Sequence, residues 1–402
     1  MVTVREAVRP LALDRGAAQP AAAIFLHAGW RSCGTWLWET LRESENVRAY
    51  YEPLHEDLAR LDRAALIRFS PASWESGHSP GAPYFAEFVA RLRRDGVGIA
   101  GYTNRFAFDN FFANEDASDE QLEAYLHGLM AAAHAEGRVP VLKFCRSLGR
   151  VPWLVRRFPD ACHAVVLRDP VTQWLSARRQ MEQAKNRYFV LAPFIILARN
   201  ENDPALCDIV TRLRVPMPPR LSRDLGITTQ VCWRHVQKLT WAERYRGFLA
   251  LWVASALAAL KADATIIDAD RLGVDPAHRF VVEQELGRAA CLPLSLAPGH
   301  LQPAATWRGT DAEADDMSRA AHAALDIVFA ARHTLPPART RLLVRKLTPP
   351  FTHGPRAPLP LPGRSLPEPV RRLDAAAYVA LARITYPLRR THYYVRRWLR
   401  KA

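Results

Sequence analysis

The stretch AAAIFLHAGWRSCGTWLWETLRE, residues 21–43, decides the architecture of the chain. Its first nine residues form a continuous apolar run ending at Gly29. That is the pattern of a strand buried on both faces in a parallel sheet. Residues 35–43 place Trp36, Leu37, Thr40 and Leu41 on neighbouring helical turns. Between strand and helix lies Gly29-Trp30-Arg31-Ser32-Cys33-Gly34-Thr35. A glycine turn that feeds a helix start offers main-chain N–H groups to an anion, and phosphate or sulfate is the natural occupant.

The spacing of this loop is that of a Walker loop, Gly-x4-Gly-Thr, but the lysine between the last glycine and the threonine is missing. Arg31 supplies a positive charge from within the loop, and no clear acidic partner for a magnesium ion follows. A nucleotide hydrolase is therefore disfavoured. Alone, the motif reads equally as a tight β–α turn with an incidental arginine.

Outward from this stretch, strands and helices alternate. AYYEPLHE (49–56) reads as a short strand or turn closed by Pro53, and VGIAGY (97–102) as another apolar strand. Residues 118–136 read as a helix, with Ser118 as N-cap and Gln121 completing a capping box. VPVLKFC (139–145) and ACHAVVL (161–167) read as buried strands, each followed by a helix, over 148–158 and 170–186. Residues 187–232 read as an irregular lid or substrate loop, 233–261 as one helix, and ATIIDAD (264–270) as the last strand. Helices are expected at 276–290 and 311–333. This alternation predicts an α/β fold with a central parallel β-sheet flanked by helices.

The chain has 402 residues, 49% hydrophobic and 24% charged, an ordinary globular composition. No apolar run approaches the roughly 20 residues that span a bilayer. The charged N-terminus lacks the apolar core of a signal peptide, which points to a cytoplasmic protein. Six cysteines without a C-x-x-C pattern disfavour a zinc ribbon or dithiol motif. The net charge of +15 is unevenly placed. Residues 335–402 hold 15 Lys/Arg against Glu368 and Asp374, leaving the first 334 residues nearly neutral. Eleven of the 30 prolines also fall in this segment. The expected organisation is an N-terminal extension (1–20), a catalytic body (21–334), a Pro-rich basic linker (335–369) and a basic amphipathic helical tail (370–402). Such a tail suits an acidic membrane surface or nucleic acid, or a solvated helix packed on the body.

The second motif is VVLRDPVTQWLSARRQ (165–180). Arg168 leaves a strand end, Pro170 fits the first turn of the next helix, and Ser176 follows two turns on. An arginine fork with a hydroxyl can hold a second phosphate. Alone, this also reads as an Arg–Asp surface pair and a helix serine.

Together the two motifs resemble the sulfotransferase family, whose donor is 3′-phosphoadenosine 5′-phosphosulfate (PAPS). The likeness covers roughly residues 21–300. Arg31-Ser32-Cys33-Gly34-Thr35-Trp36 resembles the family's 5′-phosphosulfate loop, with Cys33 where the family has glycine. Arg168 and Ser176 resemble its 3′-phosphate segment. The resemblance implies a P-loop-like sulfotransferase fold and no metal requirement. It also implies an acceptor hydroxyl or amino group, as on a glycan. A Glu or His does the work of the base in the family. Glu52 in Tyr51-Glu52-Pro53-Leu54-His55-Glu56 is the best match, with His55 and Glu56 as alternatives and a turn carboxylate as the bland reading. Lys143 stands where relatives place a lysine near the sulfuryl group, or is a salt-bridged strand-end residue. His27 is read as a packed histidine. A P-loop kinase-like phosphoryl transferase and a non-catalytic binding protein led by the tail are the competing readings. The first is weakened by the missing Walker lysine. For the tail, the membrane is favoured over nucleic acid.

Overall fold

The computed structural model describes residues 22–70, 82–219, 224–296 and 309–348. Five strands form one all-parallel sheet: β1 (Ile24–Ala28), β2 (Val47–Tyr51), β3 (Val139–Phe144), β4 (Cys162–Leu167) and β5 (Thr265–Asp268). Their order across the sheet is β2-β3-β1-β4-β5. Fourteen α-helices flank the sheet among the described residues. They are α1 (Gly34–Arg42), α2 (Arg63–Arg68), α3 (Arg105–Phe108), α4 (Glu120–His134), α5 (Val151–Arg157), α6 (Pro170–Gln183) and α7 (Tyr188–Arg199). The rest are α8 (Pro204–Arg212), α9 (Leu225–Gln237), α10 (Trp241–Ala259), α11 (Ala269–Leu272), α12 (Pro276–Ala290), α13 (Asp311–Ala331) and α14 (Pro337–Leu347).

The connections give the sheet its functional edge. β1 leads through α1 to β2 on one side, whereas β4 leads to β5 on the other. β1 and β4 are neighbours, so the chain diverges between their carboxyl ends. In open parallel sheets that divergence is where a crevice for a ligand opens. The register brings the strand ends level: Ala28 pairs with Val166, Tyr51 with Lys143, and Leu167 with Asp268. Residues one or two places beyond these positions therefore share one rim.

One apolar core lies around β1–β3 and takes in α1, α4 and α12 through Trp38, Leu126, Leu129 and Leu286. A second joins Val165 and Leu167 of β4 to α6, α7, α10, α13 and α14. Removing this apolar surface from water is the main stabilising contribution, at about 25 cal/mol per Å². Among the described residues no helix is long and apolar enough to cross a membrane.

Five expectations are corrected. Residues 97–102 form no strand of the sheet. Gly96, Gly98 and Gly101 have φ near 78° and break the extended run, and only isolated bridges at Val97 and Ile99 form. Helix α4 is capped by Asp119, whose carboxylate accepts from the Leu122 N–H, in place of the Ser118/Gln121 box. Residues 187–232 contain α7, α8 and the start of α9 rather than an irregular loop. Pro193 sits inside α7, where burial of Val190–Ala198 outweighs its missing donor, and Pro204 occupies the first turn of α8. The helix expected at 233–261 is split, because Thr240 and Glu243 form a capping box that starts α10. Finally, residues 337–347, read as the start of a Pro-rich linker, form a helix. Pro337 starts α14, whose Leu343, Lys346 and Leu347 are buried against the body. The N-terminal extension, the remainder of the linker and the tail at 370–402 lie outside the described residues.

Candidate active site

The loop between β1 and α1 is built by two left-handed residues, Arg31 (φ 62°) and Cys33 (φ 72°). Non-glycine residues adopt this region at a cost, and such turns are the pieces from which anion-binding nests are made. Ser32 Oγ donates to the Gly29 carbonyl at 2.6 Å and Gln173 Nε2 to the Trp30 carbonyl at 3.0 Å, fixing the turn. Cys33 is the N-cap of α1, but no side chain caps the helix start and no acidic residue stands in its first turn. Gly34 is required by packing: a Cβ there would lie 2.4 Å from Ala28 Cβ and 3.3 Å from Lys143 Cε. Thr35 is buried, with Oγ1 3.2 Å from the Tyr51 hydroxyl, and Trp36 is half-buried beside it.

The second motif meets this loop. Arg168 Nη1 donates to the Arg31 carbonyl at 3.0 Å, and Arg31 Nε donates to Ser176 Oγ at 2.9 Å. Asp169 caps α6 by accepting from the Thr172 N–H, with Pro170 at the first helical position. Two arginines and an uncapped helix start thus converge at the β1/β4 divergence. Burial lowers the Arg31 pKa, Tyr51 opposes the shift and the Arg168 charge adds to it. Like charges held this close favour an anion between them.

Glu52, Lys143, Arg146 and Glu56 form a second cluster on the same rim. Lys143 Nζ donates to Glu52 Oε1 at 2.7 Å and lies 4.4 Å from the Tyr51 ring centroid. Arg146 Nη1 and the Cys145 N–H donate to Glu52 Oε2 at 2.9 and 3.0 Å. Arg146 Nη2 also donates to Glu56 Oε2 at 2.6 Å and to the Tyr188 hydroxyl. Burial pushes the Glu52 carboxyl up, but Lys143 and Arg146 overcome it and hold it down to about 2. Glu52 is therefore a carboxylate saturated by three donors. As it stands, it orients two cations rather than awaiting a proton. His55 Nδ1 accepts from the Asp57 N–H at 3.1 Å, which puts the proton of the neutral ring on Nε2. His27 is fully buried within β1, hydrogen-bonded to Ser147 Oγ and to His163 Nδ1 and stacked between the Phe144 and His163 rings of the neighbouring strands.

All of the motif residues therefore gather on one rim, in two adjoining clusters. Arg146 and Tyr188 complete the second cluster without a motif of their own. Tyr188 had no signal beyond its place in the segment 187–232. Beside the rim, Arg150 Nη1 donates to the Arg146 carbonyl at 3.3 Å and lines a cavity of 330 Å³. Its walls carry the amides of Asn110, Asn114 and Asn202 together with Phe112 and Trp153. Asn202 comes from the segment 187–232, read as a lid or substrate loop, Asn110, Phe112 and Asn114 from the chain before α4, and Arg150 and Trp153 from the turn and helix that follow β3. Compared with protein-family models, with curated proteins and with solved structures, the chain matches none.

Proposed function

We propose that the chain is a sulfotransferase that moves the sulfuryl group of PAPS to a hydroxyl or amino group of the kind glycans carry. The observation that carries this reading is the convergence of two motifs: Arg31 and Arg168, 137 residues apart, meet at the carboxyl ends of β1 and β4. The P-loop-like sulfotransferase fold belongs to the same proposal, and the strand order β2-β3-β1-β4-β5 supports it.

The residues present fit a donor with two phosphate-bearing ends. In this reading the N–H groups at the start of α1 and the loop 31–35 hold the 5′ end, and Arg168 with Ser176 holds the 3′-phosphate. The donor supplies a sulfuryl group on a phosphate leaving group. Arg31 neutralises charge that grows on the leaving oxygen, and the helix start adds a fixed dipole. No metal enters the proposal. The acceptor atom bonds to sulfur, the bond from sulfur to the phosphate oxygen breaks, and the acceptor proton passes to a base. Glu52 takes that proton in this reading, once Lys143 turns from the carboxylate toward the transferring charge. Lys143 is set for this, because it bonds Glu52 and its Cε lies 3.3 Å from where a Cβ on Gly34, at the start of α1, would stand. His55, with Nδ1 engaged by the main chain, ranks second. The cavity lined by amides and aromatic rings supports a polar acceptor.

Calorimetric titration with adenosine 3′,5′-bisphosphate tests the reading. Saturable 1:1 binding that Arg168→Ala weakens is expected. Absence of binding by the unmodified chain overturns it.

A further inference from the structure

Helix α14 ends on the rim of the proposed nucleotide site. Lys346, only 4% exposed, donates from Nζ to Asp268 and to Asp270. Arg345 Nη2 donates to the other oxygen of Asp268 at 2.7 Å. Asp270 Oδ2 also accepts the Asp169 N–H at 2.7 Å, and its Oδ1 lies 3.8 Å from Arg168 Nε. Three carboxylates, from Asp169, Asp268 and Asp270, thus crowd the ends of β4 and β5, beside the arginine assigned to a phosphate. A carboxylate this close competes with a phosphate for the guanidinium and repels it.

We propose that Lys346 is a positioning residue for the 3′-phosphate: it neutralises Asp270 and so keeps that carboxylate from capturing Arg168. This rests on the nucleotide reading above. The charges explain why a lysine is buried at the end of a surface helix. With Lys346 and Arg345 present, the three carboxylates are balanced by three cations, Arg168 included. Without Lys346 the corner carries a net negative charge where an anion is to bind. The effect is largest at the 3′ end, because Asp270 lies against Arg168 itself, whereas Cys33 at the start of α1 feels Asp270 and Lys346 only as charges at a distance. Lys346 therefore favours nucleotides with a 3′-phosphate over those without it.

The test compares adenosine 3′,5′-bisphosphate with adenosine 5′-phosphate by calorimetry on the full chain. Lys346→Met is expected to weaken the bisphosphate about tenfold, as one uncompensated charge near the arginine would, and to leave the monophosphate within about twofold. Adding Asp270→Asn to Lys346→Met is expected to restore the bisphosphate. Unchanged bisphosphate affinity in Lys346→Met, equal loss of both nucleotides, or no restoration by Asp270→Asn overturns the proposal. Should Lys346→Met fail to fold, Asp270→Asn alone decides: tighter bisphosphate binding with an unchanged monophosphate supports the proposal, and an unchanged bisphosphate overturns it. A wild-type chain that shows no preference for the bisphosphate, or an Arg168→Ala variant that keeps the preference, overturns the nucleotide reading itself.

Discussion

Arg168 Nη1 lies 3.0 Å from the main-chain carbonyl of Arg31, so the residue that opens one motif holds the loop of the other in shape. Arg168→Ala should then have two effects. In the proposed nucleotide site it removes a charge-assisted pair to the 3′-phosphate, worth about 1.5–3 kcal/mol, and it loosens the Arg31 turn more mildly. Adenosine 3′,5′-bisphosphate should lose more affinity than adenosine 5′-phosphate. Equal losses measured side by side would mean that Arg168 serves only the loop.

Gly34 is fixed by contact rather than by φ. Gly34→Ala drives a methyl group to 2.4 Å from Ala28 Cβ, a main-chain-borne atom that cannot swing aside. Overpacking of this kind costs about 1–3 kcal/mol. Urea unfolding should show that loss, and Ala28→Gly in the same chain should recover most of it. A Gly34→Ala variant as stable as the parent would show that α1 can slide away from β1.

The β1–turn–α1 unit was legible because it is local: strand, turn and helix follow within twenty residues. The α/β class was legible for the same reason, from short apolar runs alternating with helical periods. What the sequence hid was set by distant contacts. Glu52 and Lys143 are 91 residues apart, and nothing local marks them as an ion pair that quenches the expected base. Residues 187–232 read as loop because prolines punctuate them, yet Pro204 starts a helix and Pro193 is tolerated by burial on both sides. Pro337 misled in the same way. It read as linker, whereas Leu343 and Leu347 bind its helix to the core.

The Glu52 cluster makes the fold acid-sensitive. Its carboxyl is held at about 2 in the folded chain against 4.5 unfolded. The contribution is fully present above about pH 4.5 and is lost as pH falls from there toward 2. At 1.36 kcal/mol per unit it amounts to about 3 kcal/mol. Urea unfolding of the wild type between pH 5 and pH 3 should show a steeper loss than Glu52→Gln. Parallel profiles would place the acid sensitivity elsewhere.

His27 and His163 give a separate, higher window. Burial lowers both pKa values below 6.5, with each ring held neutral in the chain of hydrogen bonds from Ser147 to the Phe158 carbonyl. The unfolded chain takes up these protons first as pH falls. Stability is therefore full above about pH 6.5 and declines below it. Unfolding midpoints at pH 7.5 and 5.5 measure the decline, and His27→Gln should flatten it. A wild type equally stable at both values would overturn the assignment.

Glu52→Gln and Lys143→Met together separate a proton acceptor from an orienting carboxylate at Glu52. Glu52→Gln keeps the shape but leaves Lys143 and Arg146 buried beside a neutral group. Breaking a buried pair in this way costs about 3–5 kcal/mol, so stability must be read on the same variant as activity. If Glu52 accepts the proton, turnover should fall by about 10²–10⁴-fold under conditions where the variant is still folded, while bisphosphate affinity stays close to wild type. Lys143→Met sharpens the distinction. It removes one of the two cations that depress the carboxyl, so the Glu52 pKa should rise. The acid limb of kcat/KM should then move upward in pH relative to wild type, in which a group held at about 2 gives no limb near neutrality. An orienting role predicts no such movement, only a lower rate at every pH. Full turnover in folded Glu52→Gln would pass the proton to another group on the rim, His55 being the next to test.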